Sequence, residues 1–197
     1  MKHYYTDNRD LKSEPRTIEF LYQDIKLTFK SDLGVFSKDR IDYGTQVLLN
    51  NLDDFKSNIS ILDVGAGYGP IGISLAKIYP DASVDMFEVN DRAIELASEN
   101  INLNKVVNIK ISKSDVYTNI EKKYDVIITN PPIRAGKLVV NRILNESIEH
   151  LNENGSLWVV IQKKQGAPST KKKMIEIFGN CEIKKRDKGY YILVSYK

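Results

Sequence analysis

From Ile59 onward, short apolar runs alternate with stretches of helical periodicity, and no other feature constrains the fold of this chain as tightly. Strand-like runs fall near residues 59–64, 82–88, 107–112, 124–129 and 156–162; helical patterns fall near 70–78, 90–103, 138–152 and 168–178. Strands that alternate with helices are joined by crossovers, so the pattern predicts an α/β fold: a parallel sheet with helices on both faces. The end of the chain departs from this rhythm. Cys181 to Arg186 and Tyr190 to Tyr196 are both β-prone, and Asp187-Lys188-Gly189 between them has the chemistry of a tight turn. A mostly parallel sheet finished by one antiparallel C-terminal strand follows. Ligands of such sheets bind beyond the carboxyl ends of the strands, near the point where strand order reverses. Residues just after the strands are therefore where chemistry is expected.

The first 40 residues read differently. Arg16 to Tyr22 and Ile25 to Lys30 are β-prone and separated by Gln23-Asp24, which predicts a hairpin packed onto the remainder. Gly34 to Arg40 reads as a loop. Asp42 has the character of an N-cap for a helix that carries Val47, Leu48, Leu49 and Leu52 mainly on one face. Residues 1–40 accordingly form an N-terminal extension with a β-hairpin and a loop, and residues 41–197 form the main domain. The 197 residues, 42% hydrophobic and 28% charged, fit one self-sufficient globular unit.

Several chemistries are excluded early. Cys181 is the only cysteine and the histidines, His3 and His150, lie far apart, so the chain has neither a disulfide framework nor metal-ligand spacing. No metal is expected, and a reducing cytoplasm is the natural compartment. The segment Met1 to Asp7 lacks an apolar signal core, and no apolar run approaches the roughly 18 residues of a spanning helix. Neither membrane insertion nor secretion is expected. The net charge of +3 hides an asymmetry: residues 160–197 hold ten Lys or Arg against three acids, whereas residues 1–159 hold 19 against 23. Lys163-Lys164, Lys171-Lys172-Lys173 and Lys184-Lys185-Arg186 either attract phosphates or form an ordinary solvated surface.

The run Ile61-Leu62-Asp63-Val64-Gly65-Ala66-Gly67-Tyr68-Gly69-Pro70-Ile71-Gly72 passes from an apolar strand into a helix. Glycines at such a junction permit positive φ and close approach of backbone to a ligand. Gly67 to Gly72 also fits the dinucleotide fingerprint, which by itself leaves a nicotinamide enzyme open. Asp63 is a poor companion for a pyrophosphate and a good one for a cationic, amino-acid-bearing ligand such as S-adenosylmethionine. Glu88 ends the next strand-like run, where a carboxylate can accept from both hydroxyls of a ribose. Asp115, after the third strand, is placed to accept from an adenine amino group or to cap Val116-Tyr117-Thr118.

Asn130-Pro131-Pro132-Ile133 follows the strand Tyr124 to Thr129 and is the most informative motif in the chain. The two prolines fix the local backbone and remove two donors, leaving carbonyls for the site. The Asn130 side-chain oxygen and the Pro131 carbonyl can then both accept from one planar amino group. Its nitrogen lone pair is thereby aimed at a sulfonium methyl for in-line displacement. Positioning and electrostatics suffice, since the nitrogen becomes acidic only as the methyl transfers.

On these residues the chain resembles the class I methyltransferases, and more narrowly the ribosomal RNA guanine-N2 methyltransferases of the RsmC type. The resemblance covers roughly residues 16–197 and rests on Gly34 to Thr45, the Asp63 to Gly69 loop, Glu88 with Asn90 and Asp91, Asp115, and Asn130-Pro131-Pro132. It implies a seven-stranded sheet and catalysis by Asn130, Pro131 and Pro132. S-adenosylmethionine would be held by Asp63, Gly65, Gly67, Gly69, Glu88, Asn90, Asp115, Val116 and Asn130. Phe36, Lys38 and Arg40 would lie at the mouth of the site, with Ile133 and Arg134, where an aromatic ring stacks and cations hold phosphate. The implied partner is ribosomal RNA or a ribosomal subunit, the small subunit favoured. Members of this group commonly carry a degenerate second domain before the catalytic one, so RNA docking here falls to the basic C-terminal segment. Related enzymes often place an aromatic at the position of Ile133, which leaves Phe36 or Arg134 to hold the base. Two other functions stay open: methylation of a protein glutamine amide, and a non-catalytic RNA-binding assembly module. His150 reads as a surface residue suited to a helix C-terminus, and Tyr190 and Tyr191 either line the acceptor side or pack the last strand.

Overall fold

A computed structural model describes residues 12–118 and 120–197; the Met1 to Asp7 segment and His3 lie outside the described residues. Strands β1 (Arg16–Tyr22) and β2 (Ile25–Ser31) pair antiparallel through a turn in which Gln23 and Asp24 take left-handed φ of 45° and 60°. Two consecutive left-handed residues give the turn whose twist matches a hairpin. Ile18 and Tyr22 on β1, with Leu27 and Phe29 on β2, face inward and join the same core as Leu48, Ile73 and Ala97.

Helix α1 (Tyr43–Leu49) starts where Asp42 accepts a hydrogen bond from Thr45 N at 3.2 Å. It stops at Leu49, short of the expected Leu52, with Asn50 as its C-cap and a last turn tightened by the bond from Asn51 N to Leu48 O at 3.0 Å. The main sheet comprises β3 (Ser60–Val64), β4 (Ser83–Glu88), β5 (Ile109–Lys113), β6 (Tyr124–Thr129), β7 (Leu151–Gln162), β8 (Glu182–Asp187) and β9 (Tyr190–Tyr196). Their order is β5-β4-β3-β6-β7-β9-β8, with β9 antiparallel to both neighbours. The single reversed strand thus lies inside the sheet, and β8 forms its edge. Order reverses between β3 and β6, the place where a ligand site is expected.

Helices α2 (Pro70–Ile78) and α3 (Asp91–Leu103) cover one face with α1 and the hairpin, while α4 (Lys137–Ser147) and α5 (Ala167–Phe178) cover the other. Alternate strand residues feed the two layers: Ile61, Val126 and Trp158 one, Leu62, Ile127 and Leu157 the other. Strand β7 begins at Leu151, five residues before the apolar run, since its pairing with β6 shifts between Tyr124 and Val126 and loops out the polar residues between. Across the front, α3 seizes β2. Asn100 accepts from Lys30 N at 2.6 Å and donates to Lys30 O at 2.9 Å; one turn on, Asn104 does the same with Thr28 at 3.0 and 2.7 Å. Two side-chain amides thereby imitate the next strand of the hairpin.

Candidate active site

The turn from β3 into α2 carries Gly65, Gly67 and Gly69 at φ of 72°, 59° and 93°. At Gly69 the φ of 93° would strain any other side chain, which favours glycine there. Asp63, fully buried below the turn, accepts from Gly72 N at 2.9 Å through Oδ2, while Oδ1 has no partner among the described residues. Burial pushes its pKa up to about 7, opposed by the Gly72 N–H and aided by the charge of Glu88. Glu88, at the end of β4, accepts from Gly67 N at 2.9 Å, Val89 N at 2.8 Å and Asn90 N at 2.9 Å. Its carboxylate therefore ties the glycine turn to β4, a task no local pattern in the sequence announces. Asn90 is the N-cap of α3, its oxygen accepting from Ala93 N at 3.0 Å.

Asp115 is exposed and its Oδ2 accepts from Arg142 Nη1 at 2.9 Å. The next residue, Val116, is buried at a left-handed φ of 57°, an uncommon state for a β-branched side chain. It lines a recess with Val64, Phe87, Val89, Pro132 and Ile143 beyond the ends of β3, β4 and β5.

At the end of β6, Thr129 Oγ1 donates to Val64 O at 2.8 Å, binding the two central strands side by side. Asn130 comes next. Its Nδ2 donates to Asp42 Oδ2 and to Thr45 Oγ1, both at 3.0 Å, and its oxygen accepts nothing among the described residues. Pro132 Cδ faces Gly65, 3.6 Å from where a Cβ would stand, so the two loops touch. The Pro132 carbonyl accepts from Ala135 N at 2.9 Å and closes a 3-10 turn, which leaves the Pro131 carbonyl, not both, for a ligand. Ile133 is half-buried against the core cluster beside α4, whereas Arg134 is exposed.

The loop 34–40 is fastened above the glycine turn: Tyr68 OH donates to Ser37 O at 3.2 Å, and Ser31 Oγ to Lys38 O at 2.5 Å. Phe36 stands half exposed, Arg40 is exposed, and Lys38 pairs with Asp39 at 3.0 Å. On the other side, Lys163 N donates to Gly189 O at 2.7 Å, and Lys188 Nζ sits 4.8 Å over the Tyr43 ring, which packs on Tyr190 at 5.8 Å. The basic clusters separate in space. Lys163, Lys164 and Lys188 gather at the carboxyl end of the sheet. Lys184, by contrast, lies along edge strand β8, bonded to Asp53 at 3.0 Å and placed 5.7 Å over the Trp158 ring. His150 stacks on Tyr117 at 4.6 Å rather than standing free on the surface.

Nothing local in the sequence marks Asp42, Thr45 and Tyr68 as serving this site, although Asp42 and Thr45 fall within the 34–45 block that the family resemblance singles out. Among the described residues, no group of three or more metal-binding side chains converges, and no helix is long and apolar enough to cross a membrane.

Comparison with known proteins agrees with this geometry. The methyltransferase small domain matches residues 26–194. YbxB of Bacillus subtilis (strain 168), an uncharacterized protein, is 45% identical over 100% of this chain and 98% of its own length. Ribosomal RNA small subunit methyltransferase C of Vibrio cholerae is 30% identical over 89% of this chain and 51% of its own. A solved structure of the T. thermophilus 16S rRNA N2 methyltransferase (RsmC), in complex with AdoMet and guanosine, superposes with a TM-score of 0.84 at 25% identity, covering 95% of this chain and 52% of that one. The chain thus spans about half the length of its RsmC relatives. The sheet is that of the class I methyltransferases, and the chain belongs to the methyltransferase small domain family.

Proposed function

We propose that the protein is an S-adenosylmethionine-dependent N-methyltransferase that modifies guanine N2 in ribosomal RNA, small-subunit RNA being favoured, in the cytoplasm. One observation carries this reading: both amide hydrogens of Asn130 are engaged by Asp42 and Thr45, so its oxygen is left as a pure acceptor at the end of β6. An exocyclic amino group offers two hydrogens, and Asn130 Oδ1 with the Pro131 carbonyl are two acceptors on adjacent residues. RsmC relatives that this chain matches over about half of their length, one of them solved with AdoMet and guanosine, support the choice of acceptor.

The residues beyond β3 and β4 fit S-adenosylmethionine. A buried carboxylate oxygen without a partner is costly, and the cationic amino-acid end of this cofactor would relieve Asp63. The positive φ at Gly65 and Gly67 lets backbone approach the ligand. Val64, Phe87 and Val116 offer an apolar slot for a flat base. Asp115 would reach the adenine amino group by leaving Arg142, an exposed pairing worth about 0–1 kcal/mol. When bound, the cofactor supplies an electrophilic methyl on sulfur. The chain's own part is positioning: Asn130 and Pro131 hold the acceptor nitrogen with its lone pair toward that methyl, and the displaced proton passes to water. Phe36, Ile133 and Arg134 would contact the base or its neighbours, while Lys38, Arg40, Lys163, Lys164 and Lys188 would hold phosphates of the RNA or of an assembled subunit.

The test is transfer of labelled methyl from S-adenosylmethionine to ribosomal subunits, naked ribosomal RNA and total protein, followed by nucleoside analysis. The expected product is N2-methylguanosine, reduced by roughly 100-fold or more in Asn130→Ala. Label in protein alone would move the acceptor to a glutamine amide.

A further inference from the structure

We infer that Asp42 and Thr45 are positioning residues that lock and polarise the amide of Asn130, an inference that rests on the function just proposed. A side-chain amide has two faces of opposite character, one accepting and one donating, and nothing in the covalent structure decides which faces the substrate. Asp42 decides it here. A carboxylate only accepts, so the Asn130 amino group must turn toward Asp42 Oδ2; the flipped amide would set two oxygens 3.0 Å apart. Thr45 Oγ1 takes the second hydrogen at the same distance. The amide oxygen is then forced to face away from α1, in the one orientation that receives an amino group.

The arrangement is built into the start of α1. Asp42 Oδ2 also accepts from Thr45 N at 3.2 Å, so the capping bond that begins the helix fixes the carboxylate that orients Asn130. Gln46 Nε2 donates to Ile41 O at 2.8 Å and steadies the chain entering the cap. Gly44 completes the cradle: a Cβ there would stand 2.9 Å from Asp42 Oδ2 and 2.5 Å from the Tyr190 ring. The spacing Asp42-Tyr43-Gly44-Thr45 thus places an anion, a gap and a hydroxyl on one turn. A hydrogen bond from the Asn130 amino group to an anion draws electron density toward its oxygen, which strengthens that oxygen as an acceptor. The acceptor nitrogen gains positive charge as the methyl arrives, so the effect grows toward the transition state and belongs to turnover more than to binding.

Asp42→Asn separates this role from helix capping, because Asn caps as well as Asp while losing the charge and the acceptor-only character. Thr45→Val removes the hydroxyl at nearly constant size. Each is expected to lower kcat by roughly 10- to 100-fold, with KM for RNA, affinity for S-adenosylmethionine and Tm close to wild type. Thr45→Ser should recover most of what Thr45→Val loses. A second readout needs no turnover: the side-chain amide resonances of Asn130, assigned by their absence in Asn130→Ala, should exchange slowly in the wild type and at least tenfold faster in Asp42→Asn. Wild-type kcat in Asp42→Asn, Thr45→Ser as impaired as Thr45→Val, or unchanged exchange at Asn130 would each overturn the inference. A wild-type protein that methylates no RNA but shows slow exchange at Asn130 would instead remove the proposed function and leave the lock standing.

Discussion

Asp63 binds its proton more tightly in the folded chain, where burial holds its pKa near 7, than in the unfolded one, where the ordinary value is 3.8. Between those two values the native state carries the extra proton, so stability falls as pH rises from about 4 to about 7 and changes no further above that. The whole effect is a few kcal/mol at most. Asp63→Asn has no charge to bury. Its stability relative to wild type should therefore be greater at pH 8 than at pH 5, as read from urea unfolding at the two values. Added S-adenosylmethionine should raise the Tm of the wild type more than that of the variant, because only the wild type has a buried negative charge to relieve. An equal gap between the two proteins at both pH values would show that Asp63 is already ionised at pH 5 in the folded chain and that burial does not raise its pKa.

Among elements, the hairpin depends on α3 more than on its own turn, because Asn100 and Asn104 together answer four backbone groups of β2. Asn100 also donates to Tyr68 O at 2.9 Å and is wholly buried. Asn100→Ala should destabilise the protein by about 3 kcal/mol, and Asn104→Ala by less because water reaches it, both measured as shifts in urea midpoint. This docking was not legible beforehand: α3 announces its apolar face by spacing, but nothing local marks two of its asparagines as partners of a strand some 70 residues earlier. The strands with apolar runs and the helices with clear periodicity were legible, since each buries one face or both. The first part of β7 was not, because Asn152, Glu153 and Asn154 bulge away from its partner and read as loop. The site divides in the same way. The glycine turn and Asn130-Pro131-Pro132 identify themselves through backbone demands, whereas the hold of Asp42 on Asn130 spans 88 positions and exists only in three dimensions.

For the whole molecule, the +7 charge of residues 160–197 is spread over helix α5, the edge strand β8 and the carboxyl end of the sheet. On β8, charged side chains along an exposed edge discourage other strands from pairing there. Lys163, Lys164 and Lys188 instead share the end of the sheet where Asn130 lies. Replacing all three with Ala should lower RNA affinity and flatten its dependence on salt, by about 0.7 in the log–log slope for each phosphate that is no longer neutralised. Binding measured between 50 and 200 mM salt checks this, and matching substitutions at Lys184 and Lys185 should leave the slope unchanged. The position of β9 matters for the same end of the molecule. Among the described residues β8 is joined to the sheet through β9 alone, so loss of the pairing between β9 and β7 would release the whole terminal hairpin. Tyr190, which begins β9, also walls Gly44 and Tyr43 beside the cap of α1. Each such release would bare a flank of β7 and remove the Tyr190 ring from Gly44 and Tyr43, so the cap of α1 keeps this support only as long as the last hairpin stays closed.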